Sequence, residues 1–169
     1  MKQALTLFAA LALTACGLQP MYAGGGDGAV AQGFRQIDVA AIEGRAGWLV
    51  RNELVDRLGL PGNGADSGAR YRLDVRLDDS LEGFAVLSDD TVGRERRTLR
   101  ARYQLVDLAT GDILVDDSTG SDAGIDVVSS EYATIAAEQT ALENLAKVVA
   151  DRIVTQVALE LREPGDQPR

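Results

Sequence analysis

Arginine is the side chain here best suited to chemistry, and it is unevenly spread. Eight of the fifteen arginines fall between positions 70 and 102. Apolar and polar residues alternate through this region, which predicts strands. Arg70, Arg72 and Arg76 then share one face of a strand, and Arg94, Arg96, Arg100 and Arg102 share one face of the next. The planar guanidinium fork matches phosphate and carboxylate. Two adjacent arginine rows repel each other unless something anionic lies among them. Two readings are open. Asp74, Asp78 and Glu95 can neutralise the rows as cross-strand pairs. Alternatively a phosphate-bearing ligand does so, which makes Arg72, Arg76, Arg94, Arg96, Arg100 and Arg102 candidate phosphate-binding residues.

Carboxylates are plentiful, at Asp78-Asp79, Asp89-Asp90 and Asp116-Asp117 among others. A glycosidase needs two of them converging across a cleft. Neighbours on a strand point to opposite faces, and those in turns are hydrated. A hydrolase working with carboxylates alone therefore needs a convergent acidic cleft in the fold. The chain has no histidine and a single cysteine, which excludes Ser-His-Asp and Cys-His catalysis, disulfides and thiolate metal sites. No serine sits in a Gly-x-Ser-x-Gly elbow. Gly24-Gly25-Gly26-Asp27-Gly28 lacks the Gly-Lys-Ser/Thr ending of a phosphate-cradling loop. These features predict no enzyme, no metal and no diffusible cofactor. A formal net charge of −9 argues against nucleic acid as a partner.

The one cysteine, Cys16, stands where an export signal ends. Lys2 provides the positive start, and Ala4 to Leu13 form an apolar run too short to span a bilayer. Leu13-Thr14-Ala15-Cys16 matches a bacterial lipobox. The expectation is cleavage before Cys16, with N-acyl and S-diacylglycerol groups on it as the lipid attachment and only contact with the membrane.

The domain organisation follows. Residues 1–15 read as a lipoprotein signal, 16–33 as the lipidated cysteine and a glycine-rich tether, 34–162 as one α+β domain, and 163–169 as a tail. Phe34 to Ile42 predict a strand. Arg45 to Leu58 predict a helix whose apolar arc is Trp48, Val50, Leu54, Val55 and Leu58, ended by Gly59. A half-buried strand follows from Arg70, with Tyr71, Leu73, Val75 and Leu77 inward. Past Gly83 the apolar parity shifts to Phe84 and Val86, as a bulge produces. Ser88-Asp89-Asp90-Thr91 reads as a hairpin turn. The return strand buries Leu99, Ala101, Tyr103 and Leu105. After a turn at Asp107 to Asp112, a third antiparallel strand runs from Ile113 to Ser118 and resumes toward Val127. Glu131 to about Arg162 predict a long helix capped by Ser130, with Ile135, Leu142, Leu145, Ala146, Val149 and Ile153 on its buried stripe. The fold class is α+β, with two helices packed on one face of a four-stranded, largely antiparallel sheet.

Cys16-Gly17-Leu18-Gln19-Pro20-Met21-Tyr22 resembles the start of mature LptE lipoproteins of lipopolysaccharide (LPS) assembly, especially their alphaproteobacterial branch. Arg102-Tyr103-Gln104-Leu105-Val106-Asp107 with Thr110-Gly111 is similar too. So are Glu131-Tyr132-Ala133, Ala136-Ala137-Glu138 and Leu145-Ala146. The resemblance implies a lipoprotein on the periplasmic side of the outer membrane, and Gly17 after the lipidated cysteine fits that sorting. It also implies a plug and assembly partner for an LptD-type β-barrel, and contact with LPS. No motif transfers the family's LPS-contacting residues to positions here, so the arginine stripe rests on lipid A phosphate chemistry alone. The parity change would turn Phe84 and Val86 toward a barrel wall as a candidate interface. An auxiliary lipoprotein of another envelope transport or stress system, without an LPS role, is the alternative.

Overall fold

A computed structural model describes residues 28–60, 68–86 and 92–161, with Ala29, Ala85, Val86 and Val92 described by backbone only. The elements run α1 (Ala29–Phe34), β1 (Ile37–Val39), α2 (Gly44–Arg57), β2 (Tyr71–Val86), β3 (Val92–Asp107), β4 (Ile113–Asp126) and α3 (Glu131–Glu160). The strands form one four-stranded sheet in the order β1-β2-β3-β4. β1 pairs parallel to β2, and the other two pairs are antiparallel. The expected α+β class holds, with a third, short helix added.

Tyr71, Leu73 and Val75 of β2 and Leu99, Ala101, Tyr103 and Leu105 of β3 are all buried. They meet Val50 and Leu54 of α2 and Leu142, Leu145, Ala146, Val149 and Ile153 of α3 in one core. The even positions of the same strands face away from the helices, so the second face of the sheet is open. α3, 30 residues and about 45 Å long, packs along β4 and β3 and against α2. Arg97 fastens it further: its guanidinium grips Asp79 at 2.6 and 2.8 Å and donates to the Glu138 carbonyl at 3.3 Å. The Asp79 hydrogen bond is the main cause of its raised pKa, against desolvation.

Several local expectations need correction. The strand expected over Phe34 to Ile42 is confined to Ile37–Val39, and Phe34 ends α1, a helix the sequence did not suggest. Its six residues include a glycine. Burial of Val30 and Phe34, and the seat of Gly33 against Leu161, hold the turn in place. Trp48 is 63% exposed instead of buried. Gly47 explains why: a Cβ there would lie 2.5 Å from the Ile42 carbonyl oxygen. The helix therefore presents its smallest residue to the preceding loop, with Ala46, Val50 and Leu54 inward and Trp48 outward. α2 ends in a Schellman motif, as expected of Gly59. Leu60 N–H donates to the Val55 carbonyl at 3.0 Å, and Gly59 N–H donates to the Asp56 carbonyl at 3.1 Å.

Ser130 occupies the N-cap of α3, but its side chain makes no cap hydrogen bond. Thr134 serves the end instead: its hydroxyl accepts from Val128 N–H at 3.3 Å and lies 3.4 Å from the Ser130 carbonyl. Ile135 is exposed, because the buried stripe begins at Thr134. β4 is continuous to Asp126. The bulge expected at Gly83 is present as register shifts between Gly83 and Val86. The turn at Ser88 to Thr91 and the tail at 163–169 lie outside the described residues.

Asp107, buried at the end of β3, closes the turn into β4. Its carboxylate accepts Ala109 N–H at 2.8 Å, and Arg70 Nε and Nη2 each donate to it at 3.2 Å. The Ala109 bond, followed by Arg70 and against desolvation, holds its pKa below the usual 3.8. The folded state thus favours the ionised form. That contribution is complete above the ordinary value and disappears as pH falls through the lowered one. Asp107→Asn is expected to flatten the acid side of the thermal-stability profile below about pH 4. Parallel profiles for the two proteins would refute this role.

Candidate functional site

The open face of the sheet is built by strand parity. In the β2–β3 register Arg76 lies opposite Arg102, Asp78 opposite Arg100, and Glu82 opposite Arg96. The two arginine rows expected from the sequence are therefore brought together. In the β3–β4 register Asp126 lies opposite Arg94, Asp122 opposite Thr98, and Asp116 opposite Gln104.

These β4 carboxylates are the anions that answer the arginines. Arg94 donates to Asp126 at 2.8 Å, Arg102 to Asp116 at 3.1 Å, and Arg96 stands 3.8 Å from Asp122. Arg72 pairs with Asp74 of its own strand at 2.9 Å. Asp116 also accepts from Gln104 at 3.0 Å. That bond, then Arg102, lowers its pKa against desolvation. Of the internal counter-charges expected, only Asp74 forms an ion pair with an arginine of the stripe. Among the described residues Asp78 makes no ion pair, and Glu95 lies on the helix side, where Oε2 is buried without a hydrogen bond. The sequence signal for the true partners was the spacing of Asp116, Asp122 and Asp126 on one parity of β4.

Two arginines stand apart. Among the described residues Arg76 and Arg100 have no ion pair, hydrogen bond or ring contact. Gly120 lies beneath the Arg100 stem; a Cβ there would sit 3.1 Å from Arg100 Cγ. Arg70 leaves the stripe for Asp107, over the Tyr71 ring at 5.0 Å. Phe84 is 48% exposed on the open face, beneath Arg96 at 5.2 Å and Arg94 at 6.0 Å. Val86 ends β2, with its side chain outside the described residues. Cys16 lies outside them as well. A groove of about 850 Å³ borders the face where Ala40 to Glu43 leave β1, reaching Arg72, Arg76 and Arg102.

On the helix side, burial and then Asp117 push the Tyr103 hydroxyl up to about 12. It therefore stays protonated and donates to Asp117, a long bond of 3.4 Å. The Asp78-Asp79 and Asp116-Asp117 pairs are each split between the two faces, as strand geometry requires. Among the described residues no cluster of three or more acidic, cysteine or histidine side chains is arranged to hold a metal. No described helix is long and apolar enough to cross a membrane.

The arrangement is a helix-backed sheet presenting a solvent-facing arginine field. The LptE family model, lipopolysaccharide-assembly, matches residues 34–157. The chain belongs to the LptE family. LptE proteins are non-enzymatic lipoproteins, and the role of this one lies in LPS assembly. A structure described as a lipoprotein from Caulobacter crescentus CB15 is 26% identical, with a TM-score of 0.60, over 78% of this chain and 95% of that one. Two others share the fold at lower identity. A minor lipoprotein from Acinetobacter baumannii is 15% identical, with a TM-score of 0.54, over 79% of this chain and 98% of that one. Lipoprotein B from Nitrosomonas europaea is 14% identical, with a TM-score of 0.53, over 73% and 86%. No curated protein matches the chain.

Proposed function

We propose that this LptE protein is anchored through lipid on Cys16 to the periplasmic side of the outer membrane. There it partners an LptD-type β-barrel as plug and assembly factor and contacts LPS through the open sheet face. The family match over residues 34–157 carries the reading. The arginine face supplies chemistry that suits it. Lipid A bears phosphates, and Arg76 and Arg100 have no internal ion pair among the described residues. Exposed ion pairs such as Arg102–Asp116 contribute only about 0–1 kcal/mol each. A phosphate can therefore displace the aspartate at small cost and recruit Arg102 to the same anion.

Charge reversal at Arg100 and Arg102, both to glutamate, is the test. With roughly 1.5 kcal/mol for each charge-assisted contact, LPS binding by the purified protein should weaken on the order of a hundredfold. Both side chains are exposed, so the thermal midpoint should move little. Unchanged LPS affinity would rule the stripe out.

The barrel interface has its own measurement. A Phe84→Asp, Val86→Asp variant should lose most of a co-purifying β-barrel, because a carboxylate beneath Arg94 and Arg96 replaces an aromatic contact surface. Full recovery of the barrel at equal stoichiometry would show that this end of the ribbon makes no contact.

A further inference from the structure

The two edges of the sheet are protected unequally. β4 is flanked by α3, and Arg152 of that helix donates to the Gly120 carbonyl of the strand. β1 covers only the beginning of β2. Tyr71 N–H donates to the Gln36 carbonyl at 3.0 Å, and Ala40 N–H donates to the Leu73 carbonyl at 3.1 Å. β1 itself stops at Val39. Those two bonds show that odd residues of β2 send their backbone groups outward. The register with β3 is unbroken to Gly83, so Val75, Leu77, Asp79 and Leu81 do the same. Among the described residues none of these four has a backbone partner on that side. Native edges are blunted by lysine, proline, bulges or inward charges. Val75 to Glu82 contain no lysine or proline, and the register shifts begin only beyond Gly83. The one inward charge, Asp79, is held by Arg97 at 2.6 Å. The groove of about 850 Å³ lies along this edge, between Ala40 to Glu43 on one side and Val75 to Leu77 on the other. Its helix side is apolar: Ile42 and Leu77 are half-buried, and Leu81 further along is 42% exposed.

We propose that an extended segment of the β-barrel partner adds to the sheet here as a fifth strand, continuing the line of β1. Its main chain pairs with the outward groups of Val75, Leu77, Asp79 and Leu81. Alternate apolar side chains of the segment cover Ile42, Leu77 and Leu81. This rests on the barrel partnership proposed above and specifies how the plug is held. Strand β2 runs on into Phe84 and Val86, the candidate barrel contact, so one partner reaches both. The wall strands of a closed barrel are already paired with one another. The occupant is therefore a segment that enters the lumen, where its main chain is free to pair. Strand addition engages backbone groups and the helix side of β2. It leaves Arg76, Arg100 and Arg102 on the open face for phosphate, and Phe84 beyond the bulge for the barrel.

The test compares amide hydrogen exchange of the lipidated full chain in detergent, alone and in the complex with its co-purifying barrel. In the free chain the outward amides of Val75, Leu77, Asp79 and Leu81 should exchange fast. In the complex they should slow by at least about a hundredfold. A second measurement uses proline, which edge strands tolerate and which removes an outward N–H without touching the β3 ladder. Leu81→Pro should lower barrel recovery on the order of tenfold, whereas Leu81→Ala, which keeps the N–H, should stay within about threefold. LPS binding by the Leu81→Pro protein should be unchanged, which a misfolded domain cannot match. A recovered barrel complex whose outward amides exchange as in the free chain would overturn the strand addition and leave the barrel partnership standing. Outward amides already slow in the free chain would overturn it too, by showing that residues of this chain cover the edge. No co-purifying barrel at all would remove both readings.

Discussion

Serine at position 16 should abolish lipid attachment and cleavage together, leaving a longer, unacylated precursor. The oxygen of serine is not the nucleophile that a lipobox presents, so labelled palmitate should not enter the variant. The physical consequence is large. Each buried methylene contributes roughly 0.8 kcal/mol, and a single myristoyl chain already gives measurable, reversible binding. Losing all the chains removes essentially the whole affinity. What is left is a body with a formal charge of −9 over the full sequence, which anionic headgroups repel. Residues 17–169 exported behind an ordinary cleavable signal should therefore appear in the soluble periplasmic fraction. The shift in membrane-to-soluble ratio should be at least on the order of a hundredfold. Maturation of the serine variant, or tight envelope association of the unacylated body alone, would defeat the anchoring expected of Cys16.

The strands were legible because one face is dry and the other wet. Leu99, Ala101, Tyr103 and Leu105 alternate with Arg96, Arg100, Arg102 and Gln104, and burial follows that parity. The bulge was legible for the same reason: a slip of one residue moves every side chain to the opposite face. The counter-ions were not. Whether Arg94 meets Asp126 depends on the offset of β4 against β3, which the turn at Asp107 and the irregularity between Leu105 and Val106 determine. No periodicity within β3 carries that information. Glu95 follows parity instead of charge: its odd number sets it with Arg97 and Leu99 on the helix side, away from the stripe. α1 escaped because packing, against Leu161 and within the core, outweighs the cost of a helical glycine.

Helix azimuth is the other quantity that local pattern leaves open, and α2 measures it. An arc of apolar residues at 100° spacing is satisfied by centring on Trp48 or on the opposite flank, and hydrophobicity favours the larger side chain. The structure chooses otherwise because β1 and α2 are joined by a short loop whose Ile42 carbonyl lies against Gly47. Only a residue without Cβ fits there, so the helix rotates until Gly47 faces the loop and Trp48 faces solvent. Two substitutions should separate these alternatives. Leu54 is completely buried, and Leu54→Ala should destabilise the fold by about 2–5 kcal/mol, through lost transfer energy and the cavity left behind. Trp48→Ala removes a larger side chain but should cost within about 0.5 kcal/mol, as at other exposed sites. Denaturant unfolding of the two variants reads the difference directly. A Trp48→Ala cost equal to that of Leu54→Ala would mean that the tryptophan is packed and the helix is turned the other way. Gly47→Ala sharpens the comparison, because one methyl group 2.5 Å from a backbone oxygen forces α2 off its seat. A loss of about 1–3 kcal/mol there, alongside tolerance at Trp48, would identify the close approach at Gly47 as what sets the face that α2 buries.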